Sequence, residues 1–143
     1  MAASTKASII PALRYRDARA AIDFLCTGFG FARHAVYEGP GNTIAHAQLV
    51  LGDSMIMLGS ATDEGEYAKW VKPPTARDAV TTQGIYVVVP DCDAHCAQAR
   101  KAGAVVLRAP ENEDYGGRGY TCRDLEGHVW SFGTYDPWAA HGG

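Results

Sequence analysis

The sequence predicts an α+β protein built from two βαβββ modules, on three observations. Two stretches carry hairpin chemistry: IAHAQLVL, Gly52-Asp53 and SMIMLGS in the first half, and GYTC, a charged turn closed by Gly127, and HVWSFGTY in the second. Aromatic and β-branched runs flanking a short glycine-containing turn are the hairpin signal. Each hairpin follows a strand-helix-strand pattern. Finally, landmarks in the two halves keep one spacing: Asp17 to Asp91, and Gly52-Asp53 to Glu126-Gly127, are each 74 residues apart. A unit used twice in this way predicts a duplicated fold with a cavity between the copies.

Taken in order, Ile9 to Tyr15 alternates loosely and reads as a first strand, with Pro11 at its edge or start. Asp17 is placed to cap a helix in which Ala18, Ala21, Ile22 and Leu25 fall on one face, and Gly28 and Gly30 stop it. Phe31 to Tyr37 reads as a strand, EGPGN as a turn, and Ile44 to Leu51 with Met55 to Leu58 as the first hairpin. Ser60 to Gln83 is polar, carries Pro73-Pro74 and holds one short helical stretch around Glu66 to Val71. A connection of that length is often functional or mobile, and Tyr67 and Trp70 within it are expected either to cover a pocket or to pack on a sheet. Gly84 to Val89 opens the second copy as a strand. Asp91 or Asp93 caps a helix with Cys92, Cys96 and Ala99 inward, Gly103 ends it, and Ala104 to Leu107 is the next strand. PENEDYGG leads into the last hairpin. These boundaries put module one at about residues 8–60, the connection at 61–82 and module two at 83–138.

A chain of 143 residues, 47% hydrophobic and 20% charged, forms one domain with a core of its own. A net charge of −3 and the lack of a Lys/Arg run argue against nucleic acid. No apolar run reaches the roughly 18 residues of a membrane span, and Met1 to Ser8 lacks the layout of a secretory signal, so a cytoplasmic protein is expected. Cys26, Cys92, Cys96 and Cys122 show no paired zinc spacing. Cys92, His95 and Cys96 lie close in sequence, but they sit in a helix whose apolar face the two cysteines share, and buried thiols are the simpler reading.

LRYRDARAAIDFL with GFGF, GIYVVVPDCDAHCAQARKAGA and RDLEGHVWSFGTYDPW together resemble the vicinal oxygen chelate superfamily. That group holds glyoxalase I, extradiol dioxygenases, fosfomycin-modifying enzymes and bleomycin-binding resistance proteins. The resemblance covers Ile9 to Trp138 and implies paired βαβββ modules, curled mixed sheets around a cavity lined by both, and homodimers. In the enzymes of the group a divalent metal is held by His, Gln or Glu from the first and last strands of each module. Carried across, those positions are Ile10, Met57, Gly84 and Ser131. Three of them offer no hard oxygen or imidazole donor and a lone serine is a poor anchor, so no metal and no cofactor are expected. Neither a Ser-His-Asp order nor a reactive-cysteine context emerges, and no catalytic residue is expected.

Strand alternation assigns the cavity face. Met55, Met57, Tyr86, Val88, Val129 and Ser131 share the parity of the empty positions, Tyr120 and Cys122 are placed with them, and Trp130 and Phe132 fall on the core side. Across a two-residue turn, Gln48 opposes Met57 and His46 opposes Gly59. With Trp70 and Tyr115 from the loops, the expected ligand-binding set is His46, Gln48, Met55, Met57, Trp70, Tyr86, Tyr115, Tyr120 and Ser131. An apolar, aromatic and methionine-rich surface with a few polar points suits a small organic molecule. The expected function is therefore a metal-free binding protein of the glyoxalase/bleomycin-resistance type, sequestering a small aromatic or cationic compound such as an antibiotic. Two readings compete with it: a metal-dependent glyoxalase-like lyase or isomerase with ligands relocated to His46, Gln48 or Glu38, and a structural dimer with a filled cavity.

Overall fold

The computed structural model describes residues 6–140, so His141 and the start of Met1–Ser8 lie outside it. Module one runs β1 (Ala12–Tyr15), α1 (Ala18–Phe29), β2 (Ala32–Glu38), β3 (Ile44–Leu51) and β4 (Ser54–Ser60). Module two repeats the order with β5 (Gly84–Val88), α2 (Cys92–Ala102), β6 (Val105–Asn112), β7 (Arg118–Arg123) and β8 (Val129–Gly133), before the short α3 (Pro137–Ala140). Each module is a four-stranded mixed sheet, ordered β1-β4-β3-β2 and β5-β8-β7-β6, with β1 and β5 parallel to β4 and β8 and the other pairs antiparallel. The 74-residue spacing holds in the ladders themselves: Ala12 pairs with Met57, and Tyr86 pairs with Ser131.

Local chemistry sets the element ends. The Asp17 and Asp91 carboxylates each accept a hydrogen bond at 3.0 Å, from the amides of Ala20 and Ala94, satisfying first-turn donors that have no helical partner. Gly30 and Gly103 close the helices at φ 93° and 118°, a conformation that a side chain would strain. The first hairpin turns on Gly52-Asp53 alone, since Leu51 pairs with Ser54. The second is longer, because Arg123 pairs with Val129 and leaves Asp124 to His128 in the turn.

Several expected boundaries move. The first strand begins at Ala12 rather than Ile9, and the Pro11 carbonyl accepts from the Met57 amide just ahead of it. The helical stretch in the connection is a single 3-10 turn, Tyr67–Lys69. β6 extends to Asn112, taking in residues expected as loop, because two bulges let the strand continue past Pro110.

The two sheets are not hydrogen-bonded to one another. Helices α1 and α2 pack together, and the helix-side faces of both sheets join them in one apolar core. At its centre Phe29 lies against Trp130 and Phe132, with ring centroids at 5.2 and 4.6 Å. Each large side chain buried here contributes about 1.5–3 kcal/mol relative to an exposed one. Cys92, Cys96 and Cys122 are buried within it as thiols, as the helix pattern indicated for the first two. The opposite face of each sheet, concave and unshared with the core, is left for other uses.

Candidate functional site

The concave face of module two carries a cavity of about 290 Å³. Its floor is β5, β8 and β7, where Tyr86, Ser131 and Thr121 stand side by side. Ser131 and Thr121 share a hydrogen bond between their hydroxyls at 2.8 Å. The absence of side chains at Gly119 and Gly133 makes room above the floor. A Cβ on Gly133 would meet the Tyr86 hydroxyl at 2.7 Å, so the glycine allows the phenol to lie across the sheet and donate to the Tyr135 carbonyl at 2.6 Å. Tyr115 and Tyr135 stand edge to face at 4.8 Å and form an aromatic wall. Burial, followed by negative charge from its neighbours, pushes the Tyr86 phenol up, so it remains a neutral donor across the physiological range.

Charged groups close the rim. Arg108 faces the cavity because a bulge on each side of it breaks the strand alternation and sets it opposite Thr121. Its guanidinium contacts both Glu111 and Glu113. Arg118 grips Asp93 through two nitrogens, at 2.8 and 3.1 Å.

The expected site residues thus separate into groups. Tyr86, Tyr115 and Ser131 come together around this cavity. Tyr120 is a correction, and Cys122 with it. Tyr120 pairs with Phe132 and Cys122 with Trp130, so both side chains turn to the core, where Tyr120 is 0% exposed. Its atoms border the cavity only from beneath, and its hydroxyl is bonded to His95. Thr121 holds the inward position.

His46, Gln48, Met55 and Met57 lie on the concave face of module one, away from the cavity lining. There Gln48 opposes Met57, as the two-residue turn requires, and its amide nitrogen donates to His46 Nε2 at 3.2 Å. Trp70 covers neither face and is 70% exposed. Tyr67 does the covering instead, with the Arg14 guanidinium 5.3 Å from its ring centroid. The relocated metal set does not assemble, because Glu38 pairs with Arg19 of α1 while His46 stacks with Tyr37.

The family model of the Glyoxalase/Bleomycin resistance protein/Dioxygenase superfamily matches residues 9–132. The chain belongs to this superfamily. An uncharacterized protein of Mycobacterium bovis is 31% identical over 133 residues, covering 93% of this chain and 86% of its own. A Mycobacterium tuberculosis protein, also uncharacterized, matches at the same identity over 77% of its length. The crystal structure of TioX from Micromonospora sp. ML1 superposes with a TM-score of 0.69 at 30% identity, covering 90% of this chain and 98% of that one. The fosfomycin resistance protein FosX from Mesorhizobium loti shares the fold, with a TM-score of 0.65 at 16% identity over 95% and 98% of the two chains.

The superfamily implies a divalent metal, and the residues present do not fit one. Met57 supplies a thioether, Gly84 no side chain and Ile10 a hydrocarbon, while the Ser131 hydroxyl is paired with Thr121. Among the described residues no three His, Cys, Asp or Glu side chains converge as a metal site would require. The Cys92-His95-Cys96 cluster is likewise occupied otherwise. His95 Nε2 donates to the Phe29 carbonyl at 2.9 Å and Nδ1 accepts from the Tyr120 hydroxyl at 2.6 Å.

Sequence reasoning missed Arg108, Glu113, Thr121 and Tyr135. The available signal was the cluster of opposite charges at Arg108, Glu111 and Glu113 next to the only loop joining β6 to β7.

Proposed function

We propose that this superfamily member is a metal-free small-molecule binding protein that holds an organic compound on the concave face of module two, with antibiotic sequestration as its role. The observation that carries the reading is the cavity itself. Tyrosine rings and the Ser131 hydroxyl line it, with Gly84 and Ser131, two of the positions carried across from the superfamily's metal donors, in its wall. Aromatic walls with a few fixed polar groups are what a small-molecule site needs, and they suit retention better than turnover. The bleomycin resistance proteins named in the superfamily's description supply the antibiotic part of the reading.

The proposal extends to a homodimer. Tyr86, Val88, Val105 and Leu107 of module two are exposed, as are Val36 and Tyr37 of module one. A second copy placing one concave face over the other would cover these apolar groups and finish the cavity wall.

Thermal-shift measurements on the purified protein, with a panel of aromatic antibiotics and excess chelator present, test the binding claim. A ligand that binds only the folded state raises the melting temperature by mass action. The expected result is stabilisation by at least one aromatic compound, unchanged by the chelator. Stabilisation that disappears on chelation and returns with Ni²⁺, Zn²⁺ or Mn²⁺ would mean that metal holds the ligand.

A further inference from the structure

The floor of the module-two cavity carries one hydroxyl hydrogen more than the protein uses. Ser131 and Thr121 each have a single such hydrogen, and the 2.8 Å bond between them engages one. The other has no hydrogen-bond partner among the described residues. Whichever hydroxyl donates, one O–H of the pair is left for an occupant, and Ser131 stands in the cavity wall. Tyr86 does not compete as a donor, because its phenol hydrogen goes to the Tyr135 carbonyl at 2.6 Å. Glycines clear the approach to the pair. Gly84 and Gly119 line the cavity, and Gly119 pairs with Gly133 on the strand that carries Ser131.

The charged groups around the cavity are engaged with one another. Arg108 meets Glu111 and Glu113, the second at 2.6 Å, while Arg118 meets Asp93 at 2.8 Å and the Asn112 side-chain oxygen at 3.3 Å. A carboxylate entering here finds each guanidinium already paired, and an ammonium finds Glu113 already paired. A charge buried without a partner of its own is penalised. The walls are aromatic instead, with Tyr115 and Tyr135 edge to face beside Tyr86, an arrangement that suits a flat ring. A volume of about 290 Å³ lies at the small end of ligand pockets and calls for a compact molecule.

We infer that the module-two cavity takes an uncharged aromatic ligand by a carbonyl or equivalent acceptor oxygen, which receives the hydrogen left over by the Ser131–Thr121 pair while the ring lies among Tyr86, Tyr115 and Tyr135. The inference rests on the reading of this face as a small-molecule site and adds the chemistry of what it selects. Ser131 and Thr121 together determine the specificity: each fixes the other's hydroxyl, so the spare donor is held in place before the ligand arrives.

Calorimetric titration of the full chain with four probes of one shape tests this: 1-tetralone, tetralin, protonated 1-aminotetralin and tetralin-1-carboxylate. The same titrations are run on the double variant Ser131→Ala, Thr121→Val. Removing both hydroxyls at nearly constant shape leaves neither partner unpaired, so the fold is kept. The ketone should bind the natural protein more tightly than either charged probe and lose about fivefold in the double variant. Tetralin has no acceptor and should bind both proteins alike, which also shows that the variant is folded. A ketone affinity unchanged by the double substitution, a loss shared equally by tetralin, or a charged probe that binds more tightly than the ketone overturns the inference and leaves the small-molecule reading standing. If none of the four probes binds, the inference and that reading both fall.

Discussion

Asp124 shows how much one side chain can hold together. It is 1% exposed and accepts four hydrogen bonds: from the Tyr15 hydroxyl at 2.6 Å, the Trp130 indole at 3.1 Å, and the amides of Glu126 and His128 at 3.1 and 3.0 Å. Two of these shape the last turn, one fixes the core tryptophan, and the Tyr15 bond crosses from module two into module one. Burial, and then the charge of Asp124, pushes the Tyr15 phenol well up, so it stays a donor throughout the working range. Replacing Asp124 with alanine leaves buried donors unpaired at several points, at a cost of about 3 kcal/mol. Urea unfolding of Asp124→Ala should show that loss as a lower midpoint at unchanged slope. A loss below about 1 kcal/mol would mean that water or a neighbour replaces the carboxylate. RDLEGH was legible in the sequence as a charged turn closed by Gly127, but not as a tie between modules. Tyr15 lies 109 residues away, and no local pattern reports such a contact.

Among the elements, α2 carries a second tie. His95 joins the end of α1, through the Phe29 carbonyl, to Tyr120 on β7, and its ring lies 4.2 Å from that of Phe132. Burial holds the imidazole's pKa below its ordinary value, with the Phe29 hydrogen bond opposing in part. The folded state therefore binds a proton less readily than the unfolded chain, whose histidine titrates near 6.5. Stability from this group is fully present above about pH 6.5 and is lost as the pH falls through the lower folded value. Urea midpoints at about pH 7.5, 6.5 and 5.5 should decline across that window, and His95→Gln should flatten the decline. An equal slope in the variant would place the acid sensitivity elsewhere. Elements of this kind were largely legible: the cap at Asp17 and both hairpins follow from side-chain chemistry and alternation, and of the two caps open for α2, Asp91 or Asp93, the structure uses Asp91. Legibility failed where alternation breaks. The bulges around Arg108 turn it into the cavity, and Tyr120 and Cys122, expected on the cavity face, pair with Phe132 and Trp130 on the core side.

For the molecule as a whole, the duplication explains both what is kept and what is changed. The same 74-residue spacing relates Ala12 and Met57 in one module to Tyr86 and Ser131 in the other, so each module presents an equivalent concave face. In module one that face carries His46, Gln48, Met55 and Met57, with Tyr67 of the connection over Arg14. In module two it carries tyrosines, paired hydroxyls and a charged rim around the cavity. The connection between them is more than a tether. Its backbone at Ala76 and Arg77 packs so closely on Gly127 that a Cβ there would meet a carbonyl oxygen at 2.7 Å, and the Arg77 guanidinium donates to the Gly103 carbonyl at 2.7 Å. No helix among the described residues is long and apolar enough to cross a membrane. That Ile10, Met57 and Gly84 carry no hard metal donor could be read from the sequence because it is a matter of residue type. The separation of the two faces could not, because it depends on how α1 and α2 pack.

Native mass spectrometry of the untagged protein reports subunit number and bound metal in one spectrum. The expected species is a dimer whose mass is that of two chains with no metal added. A species carrying a divalent ion on each chain, lost only on chelation, would overturn the metal-free reading.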